Sequence, residues 1–170
     1  MNILVINGSP RPQGETAKMI AAFREAAEQN GHSVEVFDVC RMNIRGCLAC
    51  EYCHGRGAGA CAQQDDMQQI YARLPETDML VLASPIYYHN ISGQLKCAID
   101  RFYAALYPKA PERLKNAAMF LASGDPDMSE GARFSYEGDF LGYLGLEDVG
   151  LVTNHDRDYL EKIREMALSL

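Results

Sequence analysis

The sequence predicts a doubly wound α/β domain: a five-stranded parallel sheet in the order 2-1-3-4-5 with helices on both faces. Three observations predict it. Short apolar, β-branched runs alternate strictly with amphipathic stretches at helical spacing. The runs are apolar at nearly every position, as in strands buried on both faces of a parallel sheet. Loops containing Gly, Ser or Pro follow the first, third and fourth runs, where strand hands over to helix. Such βα alternation leaves right-handed crossovers as the available connection. The 170 residues form one domain over 1–170, long enough to bury roughly 70% of the unfolded surface.

Residues 3–6 are the first strand, followed by Gly8-Ser-Pro-Arg-Pro-Gln-Gly14. Residues 15–29 are a helix, with Met19, Phe23 and Ala26 at helical spacing, and Asn30-Gly31 ends it. Residues 34–39 are the second strand, and 40–63 are irregular and Gly-rich. Asp65 or Asp66 caps a short helix to about Leu74. Residues 79–83 are the third strand, stopped by Pro85 in Ser84-Pro85-Ile-Tyr-Tyr-His-Asn90. A helix over 92–105 lines up Ile91, Leu95, Ala98 and Phe102 on one face. Residues 117–122 are the fourth strand, ending in Ser123-Gly124-Asp125. A helix over 130–144, a fifth strand over 147–153 and a helix over 156–169 complete the chain.

A net charge of −7 gives no general attraction to nucleic acid or anionic membrane. No apolar run approaches the ~20 residues that span a bilayer. The N-terminus lacks the basic region and cleavage site of a signal peptide, so the cytosol is the expected compartment. No Ser–His–Asp set or H-E-x-x-H motif supports a hydrolase or metalloprotease.

In a 2-1-3-4-5 sheet, ligands bind beyond the carboxyl ends of the strands, at the switch point between strands 1 and 3. That gathers residues 8–16, 84–90 and 123–125. The first loop feeds a helix N-terminus, where unpaired N–H groups and the helix dipole favour an anion. Gly8 and Gly14 allow close approach, Ser9 and Thr16 offer hydroxyls, Gln13 an amide and Arg11 a charge. Neither the Gly-Lys-Ser/Thr ending of a triphosphate loop nor G-x-G-x-x-G is present. A phosphate monoester fits best; a plain turn is the bland reading. On the second loop Ile86, Tyr87, Tyr88 and His89 follow Pro85, and the tyrosines either line a flat heteroaromatic ring or pack the loop. Gly124 lets backbone approach such a ring.

Four of the six cysteines lie in Cys47-x2-Cys50-x2-Cys53-x7-Cys61. Thiolates are soft ligands and nucleophiles. The spacing suits an iron–sulfur cluster, redox-active or merely reduced thiols, and less well zinc. Cys97 reads as a small core residue, Cys40 has no evident role, and Lys96, Asp100 and Arg101 read mainly as helix-surface charge.

The Gly8-to-Thr16 loop, Ser84-Pro-Ile-Tyr-Tyr-His-Asn-Ile-Ser-Gly-Gln-Leu-Lys96 and Ala98-Ile-Asp-Arg101 together resemble the flavodoxin-like NAD(P)H-dependent FMN reductases. The resemblance runs over about 1–125. Within that family the cysteine pattern followed by Asp65-Asp66-Met67 resembles the iron–sulfur flavoprotein branch. The resemblance implies FMN and a [4Fe–4S] cluster. It places Ser9, Arg11, Gln13, Glu15 and Thr16 around the FMN phosphate, Pro85 to His89 along the isoalloxazine ring and Ser123-Gly124 on its far side. It makes Cys47, Cys50, Cys53 and Cys61 the cluster ligands. It also implies NAD(P)H as electron donor, a quinone, flavin, metal ion or redox protein as acceptor, and a homodimer or homotetramer. No catalytic side chain is required at the ring.

Overall fold

The computed structural model describes residues 1–170. Its elements are β1 (Asn2–Asn7), α1 (Glu15–Gln29), β2 (Ser33–Asp38), α2 (Met67–Tyr71), β3 (Met79–Tyr87), β4 (Asn90–Ile91), α3 (Gly93–Arg101), α4 (Tyr103–Leu106), β5 (Asn116–Ala122), α5 (Glu130–Ser135), β6 (Glu147–Thr153) and α6 (Tyr159–Leu168). The five long strands are all parallel and stand in the order β2-β1-β3-β5-β6. Taken in chain order, that is the predicted arrangement. A sixth strand was not foreseen: β4 folds back antiparallel onto the end of β3.

Side chains alternate across a strand, so each central strand feeds two cores. Leu4, Ile6, Leu80, Leu82 and Met119 face a layer containing Leu95, Ala98, Phe102, Tyr136 and Phe140. Ile3, Val5, Val81, Ala118 and Phe120 face Met19, Phe23, Ile163 and Ala167. Phe23 meets Phe120 edge to face at 5.4 Å. No helix is long and apolar enough to cross a membrane.

Several predicted boundaries shift. Pro85 does not stop the third strand; it lies inside β3 opposite Ala122 of β5. The predicted 92–105 helix divides at Phe102 into α3 and α4. Ser92 caps α3, its Oγ accepting the Leu95 N–H at 3.3 Å. The predicted 130–144 helix is α-helical only through Ser135, and Tyr136–Tyr143 continue in wider π turns. Gly138 and Gly142 are poor α formers there, and Tyr136 and Phe140 are both buried. The helix predicted from Asp65 or Asp66 covers only Met67–Tyr71, and Leu74–Glu76 form a separate 3-10 turn with Pro75 near its start. The last helix starts at Tyr159, not Asp156, because Asp156 instead accepts the Thr153 N–H at 3.0 Å in a turn.

Candidate functional site

Three loops meet beyond the carboxyl ends of β1, β3 and β5 and enclose a crevice of about 340 Å³. Its lining contains Ser9, Arg11, Gly14, Glu15, Thr16, Pro85, Ile86, Tyr87, Ser123 and Gly124, and also Ala122. Gln13, Tyr88 and His89 are not part of the lining.

The first loop is pinned from both sides. The Gly8 N–H donates to the Ala83 carbonyl at 2.8 Å. Asn7 donates to the Asp38 carboxylate at 2.7 Å, and its own amide oxygen accepts the Ser9 N–H at 2.9 Å. The Cys40 thiol donates to the Ser9 carbonyl at 2.9 Å. Burial, then the Asp38 carboxylate, push this thiol's pKa up, so it stays a protonated donor. On the other side, Ser92 Oγ donates to the Gly8 carbonyl at 2.8 Å, and the Ser92 N–H donates to Ser84 Oγ at 2.9 Å. A Cβ on Gly8 would fall 2.6 Å from Ser92 Oγ and 2.7 Å from Leu95 Cβ, so only glycine allows this approach.

Ser9 and Thr16 are buried at the N-terminal end of α1, and the exposed Arg11 guanidinium lies beside them. Backbone amides, two hydroxyls and one cation thus converge where the helix dipole favours an anion. The Glu15 carboxylate is taken up elsewhere: it accepts from Lys18 Nζ at 2.7 Å and from the Tyr159 hydroxyl at 2.5 Å. The Lys18 bond, with the Tyr159 bond second, holds its pKa below the usual carboxylate value. The charge Glu15 brings to the crevice lining is thus already paired.

Pro85–Tyr87 form one wall, and Ser123-Gly124 the other. Ser123 is locked by Asn154, whose side chain accepts the Ser123 N–H at 2.9 Å and donates to its carbonyl at 3.1 Å. His155 Nε2 lies 3.1 Å from the same carbonyl. A Cβ on Gly124 would meet no atom within 4 Å, so that wall opens into a free slot.

Tyr88 and His89 are the two central residues of a tight hairpin turn between β3 and β4, with φ of 51° and 62°. Positive φ at both positions defines a type I′ turn, normally made by Asn-Gly or Asp-Gly. Tyr88 is 100% exposed. The turn is backed by Gly131, where a Cβ would come within 2.8 Å of the His89 carbonyl.

The cysteine loop lies apart from this crevice. All six cysteines are free thiols. Cys47, Cys50, Cys53 and Cys61 line one small cavity of about 20 Å³, together with Arg101 and Tyr103. Ala49 and Glu51, between the first three cysteines, take left-handed conformations, which fold the segment back on itself. The Ala49 N–H points at Cys47 Sγ at 3.4 Å. Amide–sulfur bonds of this kind tune thiolate-held clusters. No three His, Cys, Asp or Glu side chains are spaced to hold a metal ion. The donor set therefore fits a thiolate-held cluster in number and chemistry, while in this conformation the sulfurs are not drawn together and the cavity is closed.

Two sequence readings are corrected here. Arg101 is not surface charge; its side chain is fully buried and paired with Asp65 at 2.7 Å. Cys97 is only half-buried, near Gly46 at the head of the cysteine loop. His54 leans on Tyr103, its ring 4.3 Å away and its Nε2 2.9 Å from the Tyr103 carbonyl. Tyr103, Tyr107 and Tyr143 then border an open apolar groove of about 400 Å³ that shares Cys47 with the cysteine cavity.

Comparison with known proteins agrees with this geometry. An iron–sulfur flavoprotein of Archaeoglobus fulgidus is 38% identical over 101 residues, covering 59% of this chain and 45% of that protein. An iron–sulfur flavoprotein of Methanocaldococcus jannaschii is 37% identical over 125 residues, covering 73% of this chain and 62% of that protein. The chain thus spans about half the length of these relatives. An NAD(P)H:quinone oxidoreductase from Methanothermobacter marburgensis shares the fold, with a TM-score of 0.73 at 22% identity, over 99% of this chain and 93% of that one. So does an FMN-dependent NADH-azoreductase from Bacillus anthracis in complex with FMN, with a TM-score of 0.72 at 17% identity, over 98% and 97%. The family profile for NADPH-dependent FMN reductase matches residues 1–144, and with that match the chain belongs to the NADPH-dependent FMN reductase family.

Proposed function

We propose that the chain is an FMN-dependent oxidoreductase that takes electrons from NAD(P)H and passes them to a small acceptor such as a quinone, a flavin or a metal ion. The crevice at the sheet's switch point carries this reading: an anion cradle at one end and a flat slot at the other. FMN, when bound, supplies hydride acceptance and electron donation. The chain's own residues bind and orient. Backbone amides of residues 9–16, the Ser9 and Thr16 hydroxyls and Arg11 hold the phosphate. Pro85, Ile86 and Tyr87 on one side, with Ser123 and Gly124 on the other, would flank the ring. The Asn154 and Ser92 hydrogen bonds fix those walls before the ligand arrives, which lowers the ordering cost of binding. No side chain of the crevice is assigned a proton transfer.

The visible spectrum of protein purified without oxygen tests the reading, together with steady-state NAD(P)H oxidation. Resolved oxidised-flavin bands and turnover with a quinone support it. A colourless protein that takes up no added FMN refutes it.

A second reading is an electron carrier with little nicotinamide turnover of its own. It is favoured by the four cysteines on one cavity wall. Cys47, Cys50, Cys53 and Cys61 are the residues that would hold a [4Fe–4S] cluster, which supplies single-electron transfer. A broad absorption shoulder that bleaches on reduction, with almost no NAD(P)H oxidation, selects it. A homodimer or homotetramer goes with either reading. The exposed rings of Tyr107 and Tyr143 leave aromatic surface open, and light scattering measures the state.

A further inference from the structure

We propose that Arg101 is the positioning residue of the four-cysteine site: its buried guanidinium clamps both ends of the loop that carries the thiols and sets a fixed positive charge against them. This rests on reading Cys47, Cys50, Cys53 and Cys61 as one thiolate site.

The clamp is explicit. Arg101 Nη1 donates to the Arg45 carbonyl at 3.0 Å, just before the cysteines begin. Nη2 reaches the Gln63 carbonyl at 3.4 Å, just after they end. Both nitrogens also hold the Asp65 carboxylate, at 2.7 and 3.1 Å. Asp65 in turn accepts the Arg45 and Met67 N–H groups, each at 3.2 Å. One planar fork thus joins α3 to the two stems of the loop, a task a lysine's single ammonium cannot repeat.

The charge is placed as well as buried. Arg101 is 1% exposed and forms part of the cysteine cavity's wall, whereas Asp65 does not line it. The pair is therefore asymmetric, with its cationic member towards the sulfurs. Arg101 Nε is buried without a hydrogen-bond partner in the protein. A buried donor left unpaired is costly in a native fold, and here it belongs to a residue bordering four thiols. The two-pronged bond to the Asp65 carboxylate compensates the burial of the guanidinium charge. A cluster bound by four thiolates is a net anion, so this cation favours its assembly and its reduced state.

The test loads wild type, Arg101→Met and Arg101→Lys anaerobically with iron and sulfide, using the flavin-bound protein. Iron and sulfide per FMN and the cluster's midpoint potential are read. Wild type is expected to load. Arg101→Met should keep its FMN but retain iron roughly tenfold less well. What cluster it holds should be harder to reduce by at least a factor of ten, about 59 mV for a one-electron couple. Arg101→Lys should retain iron to an intermediate level with a potential near wild type. A role in folding alone would move the melting temperature and leave the potential in place. If Arg101→Met does not fold, Arg101→Met/Asp65→Asn removes both charges together, which folds tolerate better, and must show the same loss of iron. Wild-type iron content and potential in either folded variant overturns the proposal. A wild-type protein that binds FMN but no iron overturns the thiolate-site reading, and the proposal with it.

Discussion

Gly8→Ala should damage the fold and the cofactor site together, and the structure sets the size of the effect. The added methyl would sit 2.6 Å from Ser92 Oγ and 2.7 Å from Leu95 Cβ. Comfortable contact is about 3.5–4.0 Å, so there is about an ångström of overlap on two sides. Neither neighbour can yield easily, because Ser92 and Leu95 are both 0% exposed. Over-packing of this kind costs about 1–3 kcal/mol. Moving Ser92 also endangers its bonds to the Gly8 carbonyl and from the Leu95 N–H, worth about 1 kcal/mol each. The total is about 3–5 kcal/mol, a fall of about 1.5–2.5 M in the urea midpoint for a domain with a slope near 2 kcal/mol per molar. Urea melts of the FMN-free and FMN-loaded protein measure it. The loaded protein should lose more, because displacing the loop also weakens FMN binding, and the difference reports the change in affinity. In a Ser92→Ala background the same substitution should cost less. A loss below about 0.5 kcal/mol in the FMN-free protein, within the range of ordinary surface changes, would refute the claim that this approach requires glycine.

Thr16→Ala should raise the FMN dissociation constant about 10- to 150-fold, the loss of about 1.5–3 kcal/mol for one hydrogen bond to a charged group; fluorescence titration giving an unchanged value removes the phosphate from this end of the crevice. Gly124→Leu should fill the slot and weaken FMN binding further, yet leave the urea midpoint of the FMN-free protein almost unmoved, since nothing in the fold stands within 4 Å of the new Cβ. The Glu15–Tyr159 bond gives stability two pH limits. Hydrogen bonding to Glu15, with burial second, pushes the Tyr159 phenol from 10.0 up to about 12, so its contribution is complete below pH 10 and is lost as pH rises towards 12. Glu15 is depressed below 4.5, so its share is complete above that value and fades as pH falls further. Tyr159→Phe should flatten the alkaline arm of a melting-temperature profile, and an unchanged alkaline arm would rule the bond out as its source.

The sheet was legible because its strands are buried on both faces, so runs such as residues 3–6 and 79–83 announce themselves by composition alone. The crevice was legible for a related reason: sheet order dictates where three loops must meet, and most residues named on them line it. The misses share a different cause. Tyr88-His89 carries no Asn-Gly signal, so the hairpin that turns both side chains away from the crevice was invisible, and Gln13 stands on an exposed stretch of the first loop. Arg101 looked like surface charge beside Lys96 and Asp100, and only its contacts with Arg45, Gln63 and Asp65, far off in sequence, bury it. Asn154, His155 and Cys40 brace the crevice through bonds spanning about thirty positions, and local pattern does not encode such pairs. Glu15 does line the crevice, but its partner Tyr159 is 144 positions away and was equally hidden from the sequence.

The cysteine segment hangs from the sheet rather than belonging to it. From residue 42 to 66 there is no helix or strand; its two stems are tied together, as by Asp66 N–H to the Asn43 carbonyl, but backbone hydrogen bonds within the stretch from Cys47 to Cys61, such as Gly57 N–H to the Tyr52 carbonyl, are local. Free energies of opening differ across a fold, and segments of this kind open well below the cost of global unfolding. Amides of β1, β3 and β5 should exchange with solvent deuterium only when the whole domain unfolds, while those of the cysteine segment exchange orders of magnitude sooner. The thiol site can then be filled, emptied or oxidised in a chain that is already folded. Damage there would leave a stable protein with its crevice intact, and the two sites would fail one at a time.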